Sequence, residues 1–138
     1  MRFSDAVLDA IDKSLVLGIR AGTKPHRIIG IWAVVVERRV FIRSWGVTPD
    51  GWYRTFVEEP HGVMQIGKRK LRVRAVRTRS ERLKAAVDRA YAAKYKTPAS
   101  QKWVRGFKVP RRRNATIELV PGAPPSRRLA GRRPRRPL

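Results

Sequence analysis

The chain has 138 residues, 42% of them hydrophobic, and carries 33 Lys or Arg against 10 Asp or Glu, a formal net charge of +23. That length suits one domain with a single core, and the absence of cysteine excludes disulfides, thiolate metal sites and a cysteine nucleophile. No window approaches the roughly 18 apolar residues of a spanning helix, and Asp5, Asp9 and Asp12 interrupt any signal-peptide pattern, so a cytoplasmic protein without membrane attachment is expected.

Placement of the charge matters more than its total. Residues 1–60 hold nine Lys or Arg against seven Asp or Glu, and residues 61–138 hold twenty-four against three. Such asymmetry speaks to partners and solubility rather than to fold. Arg outnumbers Lys by 24 to 9, a bias that a GC-rich coding sequence also produces with no binding role.

In chain order, Ser4 is positioned to cap a helix with Asp5 in its first turn and Val7, Leu8, Ile11 and Leu15 on one face. Residues 15–21 form a short apolar run ended by Gly22, read as a strand, and Thr23, Lys24, Pro25 and His26 form the following turn. Residues 28–36 are an almost unbroken apolar run rich in Ile and Val. They are too short and too β-branched for a helix, so they read as a central strand buried on both faces. Glu37, Arg38 and Arg39 break the pattern before residues 40–44 resume it, which predicts a hairpin whose turn type is open. A loop with Pro49, Asp50 and Gly51 leads into an aromatic and basic helix from Trp52, ended by Pro60, His61 and Gly62.

A second hairpin pairs residues 63–66 with 71–76 across Gly67, Lys68, Arg69 and Lys70. Leu71, Val73 and Ala75 share one of its faces, Arg72 and Arg74 the other. Ser80 and Glu81 open the clearest helix, with Leu83, Ala86, Val87, Ala90 and Tyr91 at helical spacing and Pro98 marking its limit. The structure of residues 101–107 is open, and residues 116–120 read as the last strand. From Pro121 the chain is Pro, Gly, Ala and Arg, the composition of a disordered tail over residues 121–138. This order lacks βαβ alternation. It predicts an α+β or mainly β domain over residues 1–120, an antiparallel, partly closed barrel with helices packed on it.

Catalytic signals are sparse. His26 and His61 are the only histidines and neither has a carboxylate at ligand spacing, so no metal site is expected. There is no Gly-x-Ser-x-Gly, Walker or Gly-x-Gly-x-x-Gly pattern. Any redox chemistry would therefore belong to a bound cofactor, with the protein supplying position and charge.

Trp32 in the apolar run, Phe41-Ile42-Arg43-Ser44 at a strand end, Gly51-Trp52-Tyr53-Arg54, and Ala90-Tyr91-Ala92-Ala93-Lys94-Tyr95 together resemble a small bacterial domain family of unknown function. That family is allied to the FMN-binding split barrels and the deazaflavin-dependent nitroreductases. The resemblance spans residues 4–120. It implies a six-stranded split barrel with a cofactor groove beside it, often a homodimer in the flavin-binding relatives. The uncharacterised family itself has no activity to carry over, and the leading reading is a protein that binds FMN or a deazaflavin coenzyme, with oxidoreductase-like function. Carried over, Arg43 and Ser44 match the strand end that meets cofactor phosphate, and Trp52 with Tyr53 match the helix walling the groove. The short loop 45–51 departs from the pattern, and no single basic cluster stands out among so many cations.

Read without the resemblance, Arg43 is either a phosphate-binding fork or a strand-end arginine paired with an acid or with solvent. Trp32 and Trp52 suit a core as well as a stacking platform. A second reading comes from the charge. Lys102, Arg105, Lys108, Arg111, Arg112 and Arg113, then Arg127, Arg128, Arg132, Arg133, Arg135 and Arg136, form two acid-free clusters. These suit nonspecific DNA or RNA binding by counterion release, with Trp103 and Phe107 available to stack on bases. The alternative is a solubilising tail.

Overall fold

The protein is described from a computed structural model, which places residues 2–24, 27–46 and 51–122. Helix α1 (Asp5–Lys13) starts where the Ser4 hydroxyl accepts from the Val7 N–H, and it buries Val7, Leu8 and Ile11. It ends one turn earlier than its apolar spacing suggests: Ser14 is extended, and Leu15 stands 62% exposed. The strands are β1 (Leu17–Ala21), β2 (Ile29–Ile31), β3 (Ala33–Val36), β4 (Arg39–Arg43), β5 (His61–Ile66), β6 (Arg69–Arg77) and β7 (Thr116–Pro121). Between them lie α2 (Trp52–Glu58), α3 (Glu81–Lys94), α4 (Pro98–Gly106) and the single turn α5 (Pro110–Arg113).

One antiparallel sheet runs in the order β2-β1-β5-β6-β7-β4-β3. Its two outer strands are consecutive in sequence, joined only by Trp32. The sheet is thereby nearly closed into a barrel with a seam, and counting the bent segment once gives the six strands expected. The segment 28–36 is thus not one central strand. Its first part pairs with β1, its second with β4, and Ile29 is 39% exposed. Alternation nonetheless persists through the bend. Ile31, Ala33 and Val35 face the barrel interior, whereas Trp32, Val34 and Val36 face the layer under α3. At the bend Trp32 has no ladder partner. Its carbonyl accepts from the Tyr91 hydroxyl at 3.0 Å, and the Ala33 carbonyl accepts from Lys94 Nζ at 2.7 Å. Helix α3 therefore satisfies the backbone groups that the seam leaves over.

The β3–β4 turn, whose type the sequence leaves open, has Glu37 and Arg38 both at positive φ, 54° and 61°. This is the primed geometry that matches strand twist, reached here without glycine. Arg38 is paired with Asp5 and Glu37 with Arg82, which tie the turn to α1 and α3. The second hairpin extends further than its apolar residues indicate, around Gly67 at φ 61°.

Two apolar clusters result among the described residues. One fills the barrel with Leu17, Ile19, Val40, Ile42, Met64, Val73, Ile117 and Leu119, capped by Tyr53 and Phe56 of α2. Gly62 lets that cap close, because a Cβ there would stand 2.9 Å from the Phe56 ring. The other lies outside the barrel and joins Val34 and Phe41 to Leu83, Val87, Tyr91, Tyr95, Val104 and Phe107. Ser80 caps α3 through the Leu83 N–H. Pro98, which reads as a helix limit, is instead the first residue of α4, with Thr97 as its cap, and α4 occupies residues whose structure the sequence leaves open. No helix among the described residues is long and apolar enough to cross a membrane.

Candidate functional site

Alternation along β4 decides where Arg43 points. Val40 and Ile42 enter the barrel, so Phe41 and Arg43 face α3. The guanidinium is fully enclosed. It donates to Thr116 Oγ1 at 2.9 Å, Asp88 Oδ1 at 2.6 Å, and the carbonyls of Phe107 and Lys84 at 3.2 Å. Asp88 also accepts from Arg113, which reaches Glu81 as well. These groups fasten α3 and α5 to the end of β4. The phosphate contact expected of Arg43 has no outward-facing donor to make it, and the alternative, pairing with an acid, is the arrangement present. Ser44 is buried too, its hydroxyl donating to the Gly46 carbonyl.

Trp52 and Tyr53 separate. Tyr53 points into the barrel core, 8% exposed. Trp52, the first residue of α2, lines a groove of about 390 Å³ between β1, β2 and α2. Ile19, Ala21, Gly22 and Ile29 form the strand side of the groove, Trp52 and Thr55 the helix side, with Lys24, Arg27, Glu58 and Glu59 around it. Gly22 is required: its φ is +81°, and a Cβ would come within 2.8 Å of Thr55. Hydrogen bonds from the Thr23 hydroxyl (2.7 Å) and N–H (3.3 Å) hold the Glu59 carboxyl below its ordinary range, so it remains a carboxylate. The volume lies within the roughly 300–1,000 Å³ of small-molecule sites. One ring, two cations and two carboxylates can hold a planar ligand that bears both an anionic group and hydroxyls.

The residues assigned to nucleic acid also divide. Arg111 is exposed. Arg112 lies over the Trp45 ring at 3.5 Å and donates to the Trp45 carbonyl at 3.0 Å. Arg113 is half-buried and pairs with Asp88, the carboxylate that also holds Arg43, and with the exposed Glu81. Arg127, Arg128, Arg132 and Arg133 lie outside the described residues. Near Arg112, Trp32, Trp45, Trp103 and Phe107 enclose a shallow apolar hollow of about 290 Å³. Spacing alone does not mark Trp45, nor Lys24 and Arg27 of the groove. A Trp beside Gly46 and a basic turn closing on Gly22 were the available signals. Among the described residues no group of His, Cys, Asp or Glu could hold a metal ion.

Residues 7–119 match the model of a family described as "Uncharacterized protein conserved in bacteria (DUF2255)". Two solved structures share the fold. A conserved hypothetical protein from Mycobacterium tuberculosis, Rv2991, superposes with a TM-score of 0.57 at 13% identity, covering 88% of this chain and 81% of its own. A pyridoxamine 5'-phosphate oxidase-like protein from Listeria innocua gives 0.58 at 16% identity, covering 86% and 93%. None of the curated proteins matches. At these identities the likeness is one of fold.

Proposed function

The chain belongs to that bacterial family, and on this premise we propose that it binds a flavin-type cofactor, FMN or a deazaflavin coenzyme, in the groove beside Trp52. The observation that carries the reading is the groove itself: a 390 Å³ cleft on the flank of a split barrel, walled by an indole, with Lys24 and Arg27 at hand. The fold supports it by its likeness to a pyridoxamine 5'-phosphate oxidase-like protein. The residues fit such a ligand. Lys24 and Arg27 would meet the phosphate through charge-assisted bonds, the carboxylates of Glu58 and Glu59 would accept from ribityl hydroxyls, and Trp52 would lie beside the ring system. When bound, the cofactor would supply hydride or electron transfer. The chain's own part is to orient it and to keep water off one face.

Titration of the full chain with FMN and with deazaflavin coenzyme, read by cofactor absorbance and tryptophan emission, tests this. Saturable binding is expected, with quenching that is lost in Trp52→Leu. Lys24→Glu should weaken affinity about tenfold or more, since a hydrogen bond to a charged group contributes about 1.5–3 kcal/mol. Absence of binding for both cofactors, or affinity untouched by either substitution, would refute the reading.

A further inference from the structure

The hollow formed by Trp32, Trp45, Trp103 and Phe107 shares no residue with the groove. Its walls are rings held in place from behind. Trp32 stacks on Tyr95 with centroids 4.0 Å apart and planes 6° apart. Trp45 meets Trp103 edge to face at 5.0 Å and Phe107 at 5.6 Å. Arg112 clamps Trp45 from one side, and Gly106 makes room for the ring, since any Cβ there would collide with it. Trp45 and Trp103 nevertheless remain 38% and 45% exposed. Large rings fixed in position yet open to water leave an aromatic face and edge available to a planar ligand.

The stretch that supplies Trp103 and Phe107 also supplies the charge that selects a ligand, and Lys102 Nζ lies 5.2 Å over the Trp103 ring. Lys102, Arg105, Lys108 and Arg111 are exposed, and among the described residues none forms an ion pair. From Thr97 to Ala115 there is no acidic residue. A second copy of this chain docking through the same face would bring like charges together across a two-fold axis, which is unfavourable. A ligand that offers planar apolar faces and regularly spaced negative charge is complementary to both features. In a duplex the base faces are stacked out of reach, whereas in a single strand they are free.

We propose that this face binds single-stranded nucleic acid, with an unstacked base against Trp103 and Trp45 in the hollow and flanking phosphates on Lys102, Arg105, Lys108 and Arg111. Recognition is insensitive to sequence, because every base has a π-face and the cations meet only phosphate.

The experiment compares the full chain's affinity for a labelled oligothymidylate of about ten nucleotides, within the usual range of site sizes, with that for an abasic strand of equal length. Whatever the arginines beyond residue 122 contribute to phosphate binding enters both affinities and cancels in their ratio. The thymidylate is expected to bind about tenfold more tightly, as stacking of one base implies, and to quench tryptophan emission. Trp103→Ala should bring the ratio to about one, while Trp103→Phe should keep most of it. Arg105→Gln combined with Lys108→Gln should lower both affinities and flatten their salt dependence. Equal affinity for the two strands in the unmodified protein would overturn the proposal. So would a ratio indifferent to Trp103→Ala, tighter binding of duplex, or quenching by phosphatidylserine vesicles without quenching by thymidylate.

Discussion

Arg43 shows how one side chain can be placed correctly in sequence and still have its surroundings hidden. The alternation Val40, Phe41, Ile42, Arg43 says that Phe41 and Arg43 share a face. What covers that face comes from α3, where Asp88 and the Lys84 carbonyl converge on the guanidinium with Thr116 of β7. No local spacing encodes a partner 45 residues away. The consequence is energetic: removing one member of a buried, hydrogen-bonded pair leaves a charge without compensation and typically costs about 3–5 kcal/mol. Arg43→Ala should therefore lose about that much stability in urea denaturation, while cofactor affinity of the folded fraction is retained. A variant that folds as stably as the parent but no longer binds FMN would return Arg43 to the cofactor site. The carboxylates of Glu81 and Glu59 are exposed, so their hydrogen bonds hold the groups ionised with little effect on stability.

Among the elements, those with both a cap and a period were legible. Ser4 and Ser80 announced α1 and α3, and strict alternation announced the β5–β6 hairpin. The seam was not. A run of Ile and Val looks the same whether it keeps one neighbour or leaves β1 for β4, and the bend at Trp32 depends on α3 donating to its freed carbonyls. Helix α4 was missed because Pro98 signals a helix start as well as an end, and its exposed Trp103 opposes the inward pattern of Val104 and Phe107.

The docking of α3 carries a pH signature. Burial pushes the Tyr95 phenol up to about 12 and raises Tyr91 as well, whereas an unfolded chain releases both protons near 10. Between pH 10 and about 12 the fold keeps protons that the unfolded state gives up, so stability present below pH 10 falls as pH rises through that window. Tyr95 alone accounts for about 2–3 kcal/mol at 1.4 kcal/mol per unit. Lys94 acts oppositely: desolvation lowers its pKa from 10.5, so between the two values stability rises with pH. Urea midpoints measured from about pH 9 to 12 should fall above 10, and Tyr95→Phe should make the fall shallower. An unchanged slope in Tyr91→Phe/Tyr95→Phe would assign the alkaline transition to other groups.

For the whole molecule, the charge asymmetry and the fold sort the surface into two places with different chemistry. The groove beside α2 mixes two cations with two carboxylates around one indole, suiting a small ligand with an anionic end and a hydroxylated middle. The stretch that forms α4 and α5 has cations and rings and no acid of its own, the acids beside it being Glu81 and Asp88 on Arg113, and it suits a polyanion. Composition made the second visible, because acid-free stretches can be counted, although it could not separate Arg113, spent on Glu81 and Asp88, from its neighbours. The groove was legible only as Trp52, because its cations arrive from the turn after β1, three strands of chain earlier. Backbone amide chemical shifts of the full chain, recorded with and without FMN, test the central claim most directly. The largest changes are expected at Ala21, Gly22 and Ile29 and along Trp52–Glu58, whereas changes confined to Trp45, Trp103 and their helix, or none at saturating cofactor, would contradict it.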